Sequence, residues 1–174
     1  DAPLVAVPTG VGKTAIALAS PYLAGANRVL VVVPTTELRR QSADHFTTQQ
    51  VLKRIGALPA DAASPSVVEV QGRDIDWDAL ETADVVIGVP SSISPVHFLD
   101  DGPPADYFDL VIIDEAHHAP AKTWTAILEY FSTGRSLLLT ATPHRRDGKR
   151  LPGKLAYYYP CLLYTSDAAD DLWC

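Results

Sequence analysis

Methionine is absent from all 174 residues, and neither cysteine, Cys161 or Cys174, falls within residues 1–160. A sequence without Met does not open at a natural start codon, so a piece of a longer polypeptide is expected. The lack of cysteine up to residue 160 excludes a disulfide framework or a cysteine-held metal there, and suits a reducing, cytoplasmic setting. No apolar run approaches the roughly 20 residues that span a bilayer, and no basic-then-apolar leader opens the chain, so no membrane partner is expected. A basic excess is missing as well: 14 Lys and Arg stand against 21 Asp and Glu, a net charge of -7. That excludes a protein that coats polyanions through its global field, and any nucleic-acid contact must be local. What the chain has is apolar bulk, 47% hydrophobic against 20% charged. Such a composition excludes a disordered chain, and the length suits one domain with a sizeable core.

The last stretch, Cys161-Leu-Leu-Tyr-Thr-Ser-Asp-Ala-Ala-Asp-Asp171, reads as translated sequencing adaptor. Its back-translation, TGT CTC TTA TAC ACA TCT GAC, resembles a transposon end. The domain is therefore expected to occupy residues 1–160, truncated at both ends, with 161–174 an artefact never selected to pack. Without Asp167, Asp170 and Asp171 the balance is 18 acids to 14 bases, a net of -4.

Six short apolar runs punctuate the rest: Leu4–Val7, Val29–Val33, Val67–Val70, Val85–Val89, Leu110–Ile113 and Leu137–Leu139. Most are continuous rather than alternating, as in strands buried on both faces. Between them lie stretches of helical spacing. Trp124, Ile127, Leu128 and Phe131 form one stripe behind Pro120, and Leu38, Ser42, Ala43 and Phe46 form a weaker one. Pro21 is expected to end or kink the first helix near Ser20. Alternation of strand and helix predicts an α/β fold, a mostly parallel sheet with helices on both faces. Ligands of such sheets bind beyond the carboxyl ends of the strands.

Pro8-Thr9-Gly10-Val11-Gly12-Lys13-Thr14 lies between the first strand and a helix-forming run, Ala15–Ala19. Glycines let the backbone curl so that N–H groups point at phosphate oxygens, and the helix adds its positive end. Lys13 would reach the β- and γ-phosphates of ATP, and the Thr14 hydroxyl would ligate Mg²⁺. The strict pattern has Gly where Val7 stands, and a plain glycine turn before a core helix is the ordinary alternative. In Leu110-Val-Ile-Ile-Asp114-Glu115-Ala116-His117-His118, a buried strand runs into two carboxylates. Asp114 would hold Mg²⁺, and Glu115 would orient and deprotonate the attacking water. His117 and His118 as zinc ligands are disfavoured, since adjacent residues rarely point at one ion and no third ligand is evident.

Pro8–Thr14, Val32–Gln41, Asp114–His118 and Thr140-Ala-Thr142-Pro143 resemble, in order and spacing, motifs I, Ia, II and III of superfamily-two helicases of the DEAH type. The paired histidines and Thr142-Pro-His-Arg-Arg-Asp-Gly148 are similar to the subgroup of restriction-enzyme motor subunits and related DNA-repair helicases. The resemblance implies a RecA-like P-loop NTPase domain that works with a second such domain of the same polypeptide on a nucleic acid, DNA favoured over RNA. It implies that Thr140 and Thr142 couple the ATP site to the strand and that His117 joins this polar bridge. Thr35, Arg39 and Arg40, with Ser91 and Ser92, would touch strand phosphates, single- or double-stranded, although helix capping and a solvated face account for them equally well. Arg145, Arg146, Lys149 and Arg150 make up the one basic cluster, as suited to a solvated loop as to a partner. A motor acting on a protein substrate, as in preprotein translocase, is the alternative from another class. Against it, no clamp insertion follows Asp114–His118.

Overall fold

Branched apolar residues that can bury both faces of a strand dominate the middle of the sheet, and the architecture grows from them. The computed structural model describes residues 2–8, 10–73, 75–98, 102–116, 121–142, 151 and 153–159. Its strands are β1 (Pro3–Ala6), β2 (Val29–Val32), β3 (Val67–Glu69), β4 (Val85–Gly88), β5 (Leu110–Ile113), β6 (Arg135–Thr140) and β7 (Lys154–Tyr158). They form one seven-stranded sheet in the order β3-β4-β2-β5-β6-β1-β7, with every pairing parallel. β2, β4 and β5 are buried at every position, which is why their sequences do not alternate. All six expected strands are present. β7 was not foreseen: its Lys-Leu-Ala-Tyr-Tyr is exposed throughout and carries no buried-strand pattern.

The helices are α1 (Lys13–Ala24), α2 (Thr36–Thr48), α3 (Gln50–Arg54), α4 (Pro90–Ile93) and α5 (Ala121–Tyr130). Side chains alternate across the strands into two cores. Leu30 and Val32 join Phe108, Trp124, Ile127 and Phe131 on the α5 side, while Val29, Val31 and Val33 join Leu18, Phe46 and Leu52 under α1, α2 and α3. Each such side chain, fully buried, contributes roughly 1.5–3 kcal/mol. Among the described residues, no helix is long and apolar enough to cross a membrane.

One expectation about local structure changes. Pro21 neither ends nor breaks α1, which continues to Ala24. The ring removes only the N–H that would have met the Ala17 carbonyl, one bond of the ladder, while the Ser20 hydroxyl donates separately to the Ile16 carbonyl at 2.6 Å. Gly25, at φ 60, then closes the helix, with Ala26 N–H donating to the Pro21 carbonyl at 2.9 Å. The tail 161–174 and the basic cluster 143–150 lie outside the described residues.

Candidate functional site

Beyond the carboxyl end of β1 the chain curls before it can start α1. Gly10 and Gly12 hold φ of +85° and +105°, where side-chain-bearing residues rarely sit, and open space surrounds both positions. Backbone conformation, not crowding, is what requires glycine here. α1 starts with no side-chain cap and no acid in its first turn, so its leading N–H groups are left for an anion. Pro8, Gly10, Val11, Lys13 and Thr14 lie along this curl, while Thr9 is outside the described residues.

Lys13 turns back into the sheet. Its ammonium donates to the Glu115 carboxylate and lies 4.0 Å from Asp114 Oδ1, with the Lys13 side chain only 12% exposed. Residues 101 positions apart thus share one cleft. The strands that lead to them are not neighbours, because β6 runs between β1 and β5. The long lysine stem, carried on a helix rather than on the strand, bridges that gap.

The carboxylates are held by an unusual turn. Asp114 N–H extends the ladder to the Val32 carbonyl at 2.9 Å, and Glu115 then adopts φ 50, a left-handed conformation rare outside glycine. That costs roughly 1–2 kcal/mol. In return, two consecutive acids face one lysine, and Glu115 N–H donates to Asp114 Oδ1 at 2.9 Å. Burial pushes the Asp114 carboxyl above its ordinary range, and the Glu115 charge adds to this, while Lys13 and that hydrogen bond pull the other way.

The end of β6 ties the two halves together. Thr140, fully buried, receives the Val7 N–H on its carbonyl at 2.9 Å, at the root of the glycine curl. The carbonyl of Leu139 accepts from Ala116 N–H at 3.1 Å, one residue beyond Glu115. Thr140 Oγ1 also donates to the Thr142 carbonyl at 2.8 Å and accepts the Thr142 N–H. Both threonines therefore stand beside the cleft. The Leu139 carbonyl had no signal in the sequence, since a backbone acceptor carries none. His117 lies outside the described residues.

The expected strand contacts divide. A groove of about 730 Å³ opens at the same sheet edge, past β2 and β4, with Thr35, Ser91, Ser94, His97 and Thr123 among its walls. Thr35 also caps α2 through Leu38 N–H at 3.2 Å. Arg40 is exposed on α2 but outside the groove lining, and Ser92 is buried. Arg39 is corrected outright. It is 4% exposed, with Nε 2.9 Å from Glu69 Oε2 and a guanidinium N–H donating to the Val70 carbonyl at 3.1 Å. It ties α2 to β3 and is not available to a phosphate. Ser94, His97 and Thr123 were missed because nothing local marks a residue that only tertiary packing brings to a groove.

Comparison with known proteins agrees with this architecture. The DNA 3'-5' translocase XPB2 of Sulfurisphaera tokodaii is 28% identical over 146 residues, which are 84% of this chain and 28% of that protein. A structure described as a hypothetical ATP-dependent RNA helicase from Sulfolobus tokodaii matches with a TM-score of 0.62 at 27% identity, over 92% of this chain and 48% of that one. The UvsW helicase from bacteriophage T4 shares the fold, with a TM-score of 0.62 at 21% identity over 90% of this chain and 54% of its own. The chain thus spans between about a quarter and a half of these relatives. Its sheet is that of their RecA-like domains, as the motif resemblance implied. Residues 2–145 match the family model described as type III restriction enzyme, res subunit, and with most of its length inside that match the chain belongs to this family.

Proposed function

We propose that this chain is the ATP-binding half of a nucleic-acid helicase or translocase, hydrolysing ATP to ADP and phosphate to drive movement on DNA. The observation that carries the reading is the convergence of Lys13, Asp114 and Glu115 beside a glycine curl and an uncapped helix start. The named relatives, a DNA translocase and helicases, support a nucleic-acid substrate over a protein one. The second RecA-like domain is proposed to come from the rest of a longer polypeptide.

The donor set fits Mg²⁺. Thr14 offers a hydroxyl and Asp114 a carboxylate that burial makes receptive to a cation. Among the described residues, no cluster of three or more His, Cys, Asp or Glu would cage an ion without help. Few hard oxygen ligands completed by phosphates and water are what Mg²⁺ takes. Bound there, Mg²⁺ supplies charge that offsets the β- and γ-phosphate oxygens.

The protein's own steps follow from the contacts. Lys13 would turn its ammonium from Glu115 to the ATP phosphates, whose oxygens also accept from the N–H groups of the curl. Release leaves Glu115 as an acceptor beside the γ-phosphate, able to orient a water and take its proton. Thr140 and Thr142, bonded to each other and to the curl's root, would relay the change toward the Thr35–Ser91 groove. There, hydroxyls suit sequence-independent contact with strand phosphates.

Calorimetry tests this. Lys13→Ala should abolish measurable ATP binding, and Glu115→Gln should bind ATP but reduce turnover at least a hundredfold. Equal ATP affinity in wild type and Lys13→Ala would refute the assignment.

A further inference from the structure

Consecutive tyrosines stand at the open edge of the sheet, and no step above uses them. β7 pairs with β1 in the register Pro3↔Lys154, Leu4↔Leu155, Val5↔Tyr157 and Ala6↔Tyr158, so Ala156 is the extra residue of a bulge. Just past the strand, Tyr159 N–H donates to the Ala6 carbonyl at 3.0 Å. Ala6 ends β1 and leads into the glycine curl. Tyr159 therefore stands at the root of the phosphate loop, on the side away from β5.

The bulge decides which face the rings occupy. Paired residues of neighbouring strands share a face, and a one-residue slip reverses it. Without Ala156 bulged, Tyr157 would pair with Ala6 and fall on the opposite face. With it, Tyr157 joins Val5, and Tyr159, two residues on, returns to the same side. Val5, like Ala15 and Ile16, packs against the core under α1, so this is the face of α1, whose first turn is the phosphate end. α1 itself leans over β6 and β5. Among the described residues no helix covers the flank over β1 and β7, where Tyr157 is 52% and Tyr159 45% exposed.

The direction of the nucleotide follows from the cleft. Lys13, Asp114 and Glu115 fix the γ-phosphate end toward β5. The polyphosphate runs back along the curl, so the nucleoside must leave over β1, and one strand spacing further, about 4.8 Å, lies β7. We infer that Tyr159, with Tyr157 beside it on the same face, is the platform on which the base of the nucleotide stacks. This rests on the nucleotide-binding reading above. A tyrosine face stacks on any base, so the platform supplies affinity rather than choice among bases.

The test is calorimetry on the 174-residue chain with Mg²⁺, titrating ATP and, separately, inorganic tripolyphosphate. Tyr159→Ala should weaken ATP about tenfold and leave tripolyphosphate unchanged, and Tyr159→Phe should bind ATP as wild type does. Lys13→Ala should lose both ligands. If Tyr159→Ala binds ATP normally while Lys13→Ala loses it, the platform is overturned and the phosphate site stands. An equal loss of ATP and tripolyphosphate in Tyr159→Ala also overturns it, because the residue would then be shaping the loop. Tripolyphosphate bound equally by wild type and Lys13→Ala would instead sink the nucleotide reading itself.

Discussion

Asp114 is a carboxyl that the fold holds against its ordinary chemistry, and stability records it. Burial, with the Glu115 charge behind it, raises its pKa in the folded state. The folded chain therefore keeps a proton that the unfolded chain releases. Stability falls as pH rises from the ordinary aspartate value, about 3.9, through the raised one, and stays lower above it. Asp114→Asn keeps the acceptor for the Glu115 N–H and removes the charge, while Lys13 retains Glu115 as its partner. Without Mg²⁺ or nucleotide, the variant should melt at a higher temperature than wild type at neutral pH. That advantage should vanish below about pH 4, where both forms are neutral at this position. Thermal melts followed by circular dichroism across pH decide it, and a variant less stable at neutral pH contradicts this account.

At the scale of elements, what the sequence disclosed depended on how locally each feature is encoded. β2, β4 and β5 were readable because strands buried on both faces have no polar alternation. The glycine curl was readable because its backbone angles require glycine in the sequence itself. β7 was not, since an exposed edge strand carries no apolar run, and neither was the placement of β6 between β1 and β5. Strand order in a parallel sheet is decided by crossover packing, which no short window contains. Arg39 failed for the same reason. A basic residue beside Thr35 reads as a phosphate contact until Glu69, 30 positions away, is seen to neutralise it. If Arg39 only ties α2 to β3, Arg39→Met should lower the folding free energy by about 2 kcal/mol, because it leaves the Val70 carbonyl and Glu69 without their donor. ATP affinity of the folded variant should be unchanged. Urea unfolding beside ATP calorimetry measures both, and loss of ATP binding without loss of stability would show the residue serving the site instead.

For the molecule as a whole, the site is one-sided. Lys13 and Asp114 come from one domain, and they meet at the carboxyl edge of a single sheet, as do Glu115 and the groove residues Thr35 and Ser91. By the helicase resemblance, the arginines that neutralise the transferring γ-phosphate come from a second RecA-like domain. A finger of that kind is worth on the order of 10³–10⁵ in turnover, or roughly 4–7 kcal/mol of barrier. Coupling also needs closure: among the described residues, the hydrogen bonds at the end of β6 join the glycine curl to the turn that carries Glu115, while Thr140 and Thr142 stand outside the lining of the groove past β2 and β4. Nothing in that link obliges a strand bound on one side to reshape the other unless a second body presses on both. The isolated chain should therefore bind ATP weakly, turn it over slowly and respond little to added single strands. Turnover by this chain, with and without single-stranded DNA, is the measurement. Robust hydrolysis stimulated by the strand would mean that the catalytic set is complete within these residues, and the proposal of a half-motor would fall.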